Sequence, residues 1–110
     1  MSLLAASVPN QRIPRQELRF PVWMEATCRT SEGGAEDVVL SDISVDGCGL
    51  VGKDGMLQPG QLVIMRMHTL EGLEGTVCWV KARRAGVKFA RPLYRPVLDH
   101  LVRVQLTVAG

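Results

Sequence analysis

The chain has 110 residues, a length that fits one domain able to bury a hydrophobic core. Its composition is 46% hydrophobic and 22% charged, as in ordinary soluble globular proteins, and its net charge of +2 is too small to indicate general nucleic-acid binding. No stretch approaches the roughly 20 apolar residues that a membrane span needs, and the first residues lack an export signal, so membrane insertion is not expected.

Residues 1–14 show little periodicity and contain Pro9 and Pro14, which predicts a flexible N-terminal arm ahead of a single domain over residues 15–110. The pattern changes in the segment PVWMEATCR, where apolar and polar residues alternate with a period of two. Such alternation predicts a half-buried β-strand. Its inward side chains are expected to be those of Val22, Met24, Ala26 and Cys28.

Five more short strands follow, separated by turn signals such as SEGG, KDG and QPG. They are predicted over Glu36–Ile43, Gly47–Gly52, Gln61–Met67, Leu73–Lys81 and Ala85–Ala90. The last segment has a helical period, with Pro96 in the first turn. Its apolar face is formed by Leu93, Val97, Leu98, Leu101 and Val102. The chain is therefore predicted to be all-β: a six-stranded antiparallel β-barrel with a C-terminal α-helix packed on it.

The basic residues are biased towards arginine, with ten Arg against three Lys. Guanidinium recognises phosphate, carboxylate and guanine through paired hydrogen bonds, so the bias favours anion or nucleotide recognition, although a GC-rich coding bias has the same effect. The three cysteines, Cys28, Cys48 and Cys78, are widely spaced and form no zinc-binding motif. Isolated cysteines are typical of a reducing compartment, and a cytoplasmic protein is therefore expected.

No constellation suited to catalysis is evident in the sequence. The two histidines, His68 and His100, fall at a strand end and in the predicted helix, where structural roles are expected. No Ser or Cys lies in a recognised nucleophile motif, and no glycine-rich phosphate loop is present. The sequence favours a protein that is not an enzyme and that has no catalytic residues, metal ligands or cofactor.

Arg15 and Arg19 form an RxxxR pair just before the first strand, in a segment bounded by Pro14 and Pro21. These prolines disfavour helix, and in extended backbone residues four apart lie about 13 Å apart on the same side of the chain. Two guanidiniums at that reach can flank one ligand of dinucleotide size, whereas the alternative is a solvated arm. The spacing alone does not decide, because it recurs in the segment RPLYR ahead of the predicted helix.

A second polar cluster follows the second strand, where Asp42, Ser44 and Gly47 form a D-x-S-x-x-G pattern. A carboxylate can accept hydrogen bonds from the N1–H and N2–H edge of guanine, and a serine hydroxyl can bond to phosphate or base. Glycine permits a positive φ and close backbone approach. All three are also common turn residues, so the pattern alone is compatible with plain turn chemistry.

Together the two patterns resemble the PilZ family, whose members are bacterial receptors for cyclic di-GMP. The resemblance extends to the segments VGKDGMLQPGQLVIMRM and GTVCWVKARRAGVKFA and covers most of the chain, from Arg12 to the final helix. It implies a six-stranded barrel with a C-terminal helix, and cyclic di-GMP bound on the outer surface of that barrel. The ligand-binding residues it implies are Arg15, Arg19, Asp42, Ser44 and Gly47.

Two further residues are weaker candidates for ligand contact. Many members carry an additional cation beside the arginine motif, whereas Pro14 precedes Arg15 here and the nearest extra arginine is Arg12. The number of ligand molecules per site, one or two, is therefore left open. Trp79 offers an outer face on which a guanine could stack, or alternatively it packs in the core on the same strand face as Val77.

The resemblance implies a receptor whose N-terminal arm and surface change when cyclic di-GMP binds and which signals to an unidentified downstream protein. The alternative is a PilZ-like interaction adaptor of pilus or motility machinery that does not bind the nucleotide. A small barrel that binds single-stranded nucleic acid is disfavoured, because such sites need a basic groove with several stacking aromatics and the chain has two Trp, one Tyr and two Phe.

Overall fold

The computed structural model describes residues 18–67 and 70–109, so the arm predicted over residues 1–14 lies outside the described residues. The strands close into an antiparallel barrel in the order β1-β2-β3-β6-β5-β4. The elements are β1 (Phe20–Thr30), β2 (Ala35–Ile43), β3 (Gly47–Val51), β4 (Leu62–Met67), β5 (Leu70–Lys81), β6 (Arg84–Phe89) and α1 (Arg95–Ala109). The predicted six-stranded antiparallel barrel with a C-terminal helix is confirmed.

Strand β1 follows the alternation that its sequence predicts. Its inward side chains, Val22, Met24, Ala26 and Cys28, are all buried, whereas the alternate residues face solvent. Each large apolar side chain withdrawn from water in this way stabilises the fold by about 1.5–3 kcal/mol. Because β1 pairs with β2 on one side and β4 on the other, its inner face lies at the centre of the core.

The barrel departs from regular pairing at bulges, and one of them determines where Trp79 lies. The pairing of β5 with β6 shifts between Val77 and Trp79, so the strict two-residue period is broken at Cys78. Val77 is buried, but Trp79 is 48% exposed on the outer surface. The alternative in which Trp79 packs in the core beside Val77 is therefore wrong, because an extra residue in the strand turned the indole outward.

Strand β5 begins at Leu70, three residues before the predicted start at Leu73, because its pairing with β4 continues to the pair Met67 and Leu70. Helix α1 begins at Arg95, so Pro96 stands in its first turn as predicted. Leu98 and Leu101 are buried and fix the helix against the barrel.

Among the described residues, no helix is long and apolar enough to cross a membrane.

The core contains two buried thiols. The Cys48 sulfur lies 3.8 Å from the Met65 sulfur. Burial raises the pKa of Cys28 to about 11, and burial together with the neighbouring Asp42 and Cys28 charges raises the pKa of Cys48 to about 12. Both pKa values lie above the 9.0 of a free thiol, so the folded state holds these protons more tightly than the unfolded state. The stability they contribute is complete below about pH 9 and is lost as the pH rises towards the folded-state values.

We expect a thiol-specific reagent at pH 8 to modify one cysteine in the folded protein and all three after denaturation in guanidinium. Cys78 is exposed, whereas Cys28 and Cys48 are buried and protonated, and the thiolate is the reactive form. Mass spectrometry of the modified protein measures the count and the site. Rapid modification of Cys48 under native conditions would contradict the burial described for it.

Candidate functional site

The structure brings together two of the predicted ligand-binding side chains. Arg19 directly precedes β1, and the pairing of Phe20 with Ile43 and of Pro21 with Asp42 places it beside the end of β2. The Arg19 guanidinium Nη1 donates a hydrogen bond to Asp42 Oδ1 and forms an ion pair with it. The other two predicted arginines, Arg12 and Arg15, lie outside the described residues, so their roles stay predictions.

The ion pair between Arg19 and Asp42 lies at the surface of the barrel. Both side chains are partly exposed, and surface pairs of this kind contribute only about 0–1 kcal/mol to stability. A guanidinium has five N–H donors, so the bond from Nη1 of Arg19 to Asp42 leaves other donors that can turn towards an anion. The second carboxylate oxygen, Asp42 Oδ2, leans over Gly49 on the neighbouring strand.

Ser44 has a structural task inside the turn that joins β2 to β3. Its side chain is fully buried, and its hydroxyl accepts hydrogen bonds from the backbone N–H groups of Asp46 at 3.2 Å and Gly47 at 3.1 Å. The Ser44 N–H donates to the Gly47 carbonyl at 2.8 Å, which closes the turn. These bonds are the turn chemistry that the sequence left open as an alternative, and a direct ligand contact by Ser44 stays a prediction.

Gly47 is required by the closeness of two strands. It is buried at the start of β3, paired with Lys88 of β6, and any Cβ at this position would overlap the carbonyl oxygen of Val87. Its φ is not in the left-handed region, so close approach, rather than turn conformation, is the reason for glycine. That approach is to the β6 backbone, and a contact between Gly47 and a ligand stays a prediction.

A row of paired residues crosses four strands from Asp42 to Trp79. Asp42 pairs with Gly49, Gly49 with Gly86, and Gly86 with Trp79. A Cβ on Gly49 would lie 2.7 Å from Asp42 Oδ2, and a Cβ on Gly86 would overlap the indole ring of Trp79. The carboxylate and the indole thus lean inward over two glycines, and we call this arrangement the glycine floor. Both glycines are buried beneath these two side chains.

Cations flank the glycine floor on the outer face of the barrel. Lys88 and Arg84 stand two residues to either side of Gly86 on β6, and Lys81 of β5 pairs with Arg84. All three side chains are exposed, whereas Ala85 and Val87 on β6 point into the core. These cations were not predicted, although the alternating segment KARRAGVK carries the signal. Recognising them requires the strand register, which places them on the same face as Gly86 and Trp79.

A polar atom missed by the sequence reasoning lies at the same place. Ser41 occupies the bulge of β2 immediately before Asp42, where the register with β3 shifts. Its hydroxyl oxygen is buried and has no hydrogen-bond partner within the described part of the chain. Buried hydroxyls are normally paired, so this one is an exception that lies directly beside Asp42.

The second RxxxR pair does not contribute to this site. Arg95 lies in the first turn of α1, where its Nε donates to Asp99 Oδ1 at 3.3 Å. Arg91 precedes that helix and lines a separate cavity with Gly72 and Leu73.

Across residues 18–67 and 70–109, no cluster of His, Cys, Asp and Glu is arranged to hold a metal ion.

These features define a small closed β-barrel module that carries an arginine–carboxylate pair and an outward-facing tryptophan on its outer surface. The chain belongs to the PilZ family, because its residues 13–104 match the family described as PilZ domain. The family resemblance of the two motifs is confirmed.

Two solved structures share this fold. The PilZ domain of YcgR from Escherichia coli, solved with cyclic di-GMP, matches with a TM-score of 0.62 and 14% identity over 86% of this chain and 91% of that chain. The Bacillus subtilis inhibitor of motility, MotI/DgrA, matches with a TM-score of 0.61 and 19% identity over 89% of this chain. The present chain spans 53% of the Bacillus subtilis protein, about half of its length. Among curated proteins, no sequence matches significantly.

We expect Gly47→Ala to lower the free energy of unfolding by about 1–3 kcal/mol, because its methyl group would press on the β6 backbone. Guanidinium denaturation monitored by circular dichroism measures the change. Gly34→Ala is the matched control, since a Cβ there meets only Thr30 Oγ1 at 4.0 Å and should change stability by about 0.5 kcal/mol or less. Equal effects of the two substitutions would show that β3 and β6 are not in close contact at Gly47.

Proposed function

We propose that this chain is a receptor for cyclic di-GMP that binds the nucleotide on its outer barrel surface. The observation that carries the proposal is the placement of Arg19 against Asp42 at one end of the glycine floor, with Trp79 at the other end. Arg15, four residues before Arg19, is proposed to close over the ligand from the N-terminal segment. A PilZ domain solved with cyclic di-GMP shares the fold, which supports the choice of ligand.

The chemistry of the ligand suits these partners. Cyclic di-GMP carries two phosphates and two guanines, and guanidinium groups bind phosphate and the O6/N7 edge of guanine through paired hydrogen bonds. The Asp42 carboxylate can accept the N1–H and N2–H donors of one guanine, and Trp79 can stack on a base. Lys81, Arg84 and Lys88 add positive charge along the floor, which favours a dianion and could support a second ligand molecule.

Binding of this ligand has to compete with the Arg19–Asp42 pair. That pair is partly exposed and therefore weak, so the ligand can take over either partner at small cost. Repositioning of Arg19 would move the segment that enters β1. We propose that this movement changes the surface presented to a downstream protein in the cytoplasm, and the similarity of the fold to a motility inhibitor is consistent with a protein target.

We expect Arg15→Ala and Arg19→Ala each to weaken cyclic di-GMP binding by about 10- to 100-fold, because charge-assisted hydrogen bonds contribute about 1.5–3 kcal/mol. Isothermal titration calorimetry measures the affinity and also the number of ligands per chain. Melting temperatures should stay close to that of the unmodified protein, because Arg19 lies outside the core. Arg91→Ala carries the same charge change outside the site and should bind normally.

The absence of heat from pure folded protein over the accessible concentration range would overturn the receptor proposal. It would favour the alternative, a PilZ-type adaptor that contacts pilus or motility proteins without nucleotide. GTP and oligonucleotides serve as specificity controls in the same titration. They should neither bind strongly nor raise the melting temperature, whereas a ligand that binds the native state raises it.

We also expect Trp79→Ala to weaken cyclic di-GMP binding by about tenfold or more, because stacking of a base on an aromatic ring contributes about 1–3 kcal/mol. Leu62→Ala is the control, since Leu62 is also a large exposed side chain but lies on β4, outside the four strands of the glycine floor. In a Trp23→Phe background, binding should quench the fluorescence of Trp79. Normal affinity in Trp79→Ala would remove the indole from the proposed site while leaving the arginine–carboxylate pair in place.

A further inference from the structure

The outer face of β4 is more apolar than a solvated barrel surface requires. Val63, Met65 and Met67 point into the core, whereas the alternate residues Leu62 and Ile64 are 60% and 39% exposed. These two side chains line a cavity of about 280 Å³ that is bordered by β1 and β5. Adjacent large apolar residues in a surface depression are typical of an interaction site rather than of a free surface.

Opposite charges stand on either side of this apolar pair. Ile64 pairs with Arg29 of β1 on one side and with Glu74 of β5 on the other. Both charged side chains are exposed and line the same cavity. In the part of the chain that the structure describes, the ion pairs include neither Arg29 nor Glu74. Across the neighbouring strands β1, β4 and β5, this face therefore carries a cation, an apolar residue and an anion in that order.

This order of charges is complementary to itself. If a second copy is placed face to face with a two-fold axis running along β4, each Ile64 meets its counterpart near the axis. The same rotation brings Arg29 of each copy opposite Glu74 of the other, so two ion pairs bracket the apolar centre. A two-fold interface requires this kind of self-complementary patch. Association through sheet edges is not open to the barrel, because its six strands are closed.

The neighbouring charge on β4 marks the border of the patch. Arg66 follows Ile64 on the outer face, and a row of like charges on the axis would oppose association. Arg66, however, lines the adjacent groove with Thr27 and Asp37 and does not line the cavity of Leu62 and Ile64. With the axis along β4, the Arg66 side chains are therefore expected to turn towards Thr27 and Asp37, off the axis and at the rim of the patch.

We propose that the chain forms a symmetric dimer through Leu62 and Ile64, held in register by Arg29 of each copy and Glu74 of the other. The patch lies on β1, β4 and β5, whereas the arginine–carboxylate pair lies at the junction of β1 and β2, so the proposal does not depend on nucleotide binding. Sedimentation equilibrium of the unliganded protein tests it directly. The unmodified protein should show a reversible monomer–dimer equilibrium, and Ile64→Glu should be monomeric.

Charge exchange provides the decisive comparison, because it keeps the apolar centre intact. Arg29→Glu and Glu74→Arg should each weaken dimerisation by about tenfold or more, since each places like charges face to face. The double variant R29E/E74R should restore the dimer. Trp23→Glu, which puts an acid at an exposed aromatic position elsewhere on β1, should leave the dimer unchanged.

Three results would overturn the proposal. One is an unmodified protein that remains monomeric at high micromolar concentration. Another is a double variant that associates no better than the two single variants. The third is a Trp23→Glu variant that dissociates to the same extent as Ile64→Glu. If Ile64→Glu fails to fold, the three charge variants still decide, because Arg29 and Glu74 lie outside the core.

Discussion

The structure depends on the close pairing of β3 with β6, the contact that completes the barrel. At Gly47 the two backbones approach so closely that any side chain would meet the Val87 carbonyl, and at Gly49 and Gly86 the glycines face each other across the same pair of strands. Glycine within a strand is unfavourable by about 0.5–1 kcal/mol relative to alanine. This cost is offset because the missing side chains let β6 pair closely with β3 and leave space for the side chains of Asp42 and Trp79 to lean inward.

The residues of the D-x-S-x-x-G pattern divide between surface and scaffold. Asp42 faces outward and pairs with Arg19, whereas Ser44 and Gly47 are buried and hold the turn and the strand in position. Ser44 and Gly47 keep the end of β2 beside the start of β1, and this alignment brings the charged side chains of Arg19 and Asp42 together. Loss of binding in a Ser44 or Gly47 variant therefore needs a stability measurement before it can be attributed to a lost ligand contact.

Regular periodicity made the barrel and its helix predictable. The alternation of Val22, Met24, Ala26 and Cys28 and the helical spacing of Leu98 and Leu101 both appear in the buried core, because each pattern extends over several repeats. The orientation of Trp79 could not be predicted, because the extra residue at Cys78 reverses the side of β5 on which Trp79 lies. The composition of the strand does not indicate such a bulge.

The candidate site was predictable only in part, for a related reason. Arg19 and Asp42 are 23 positions apart in the chain. Only the family resemblance predicts that they belong to one site, because the sequence itself does not give the register of the strands. Gly49, Gly86 and the cations beside them belong to the same surface only after the strands have been paired. Arg12 and Arg15 precede the described residues, and their part in the site stays a prediction.

The bulge at Cys78 has a chemical consequence for the surface that it shapes. It turns Trp79 outward and leaves the neighbouring Cys78 sulfur exposed, whereas Cys28 and Cys48 are sealed in the core. An oxidant would therefore encounter Cys78 first and leave a polar or bulky adduct one residue from the indole. The aromatic end of the glycine floor is thus its most oxidation-sensitive part. The same sulfur is a natural attachment point for a fluorescent or spin label that reports on the floor without an engineered cysteine.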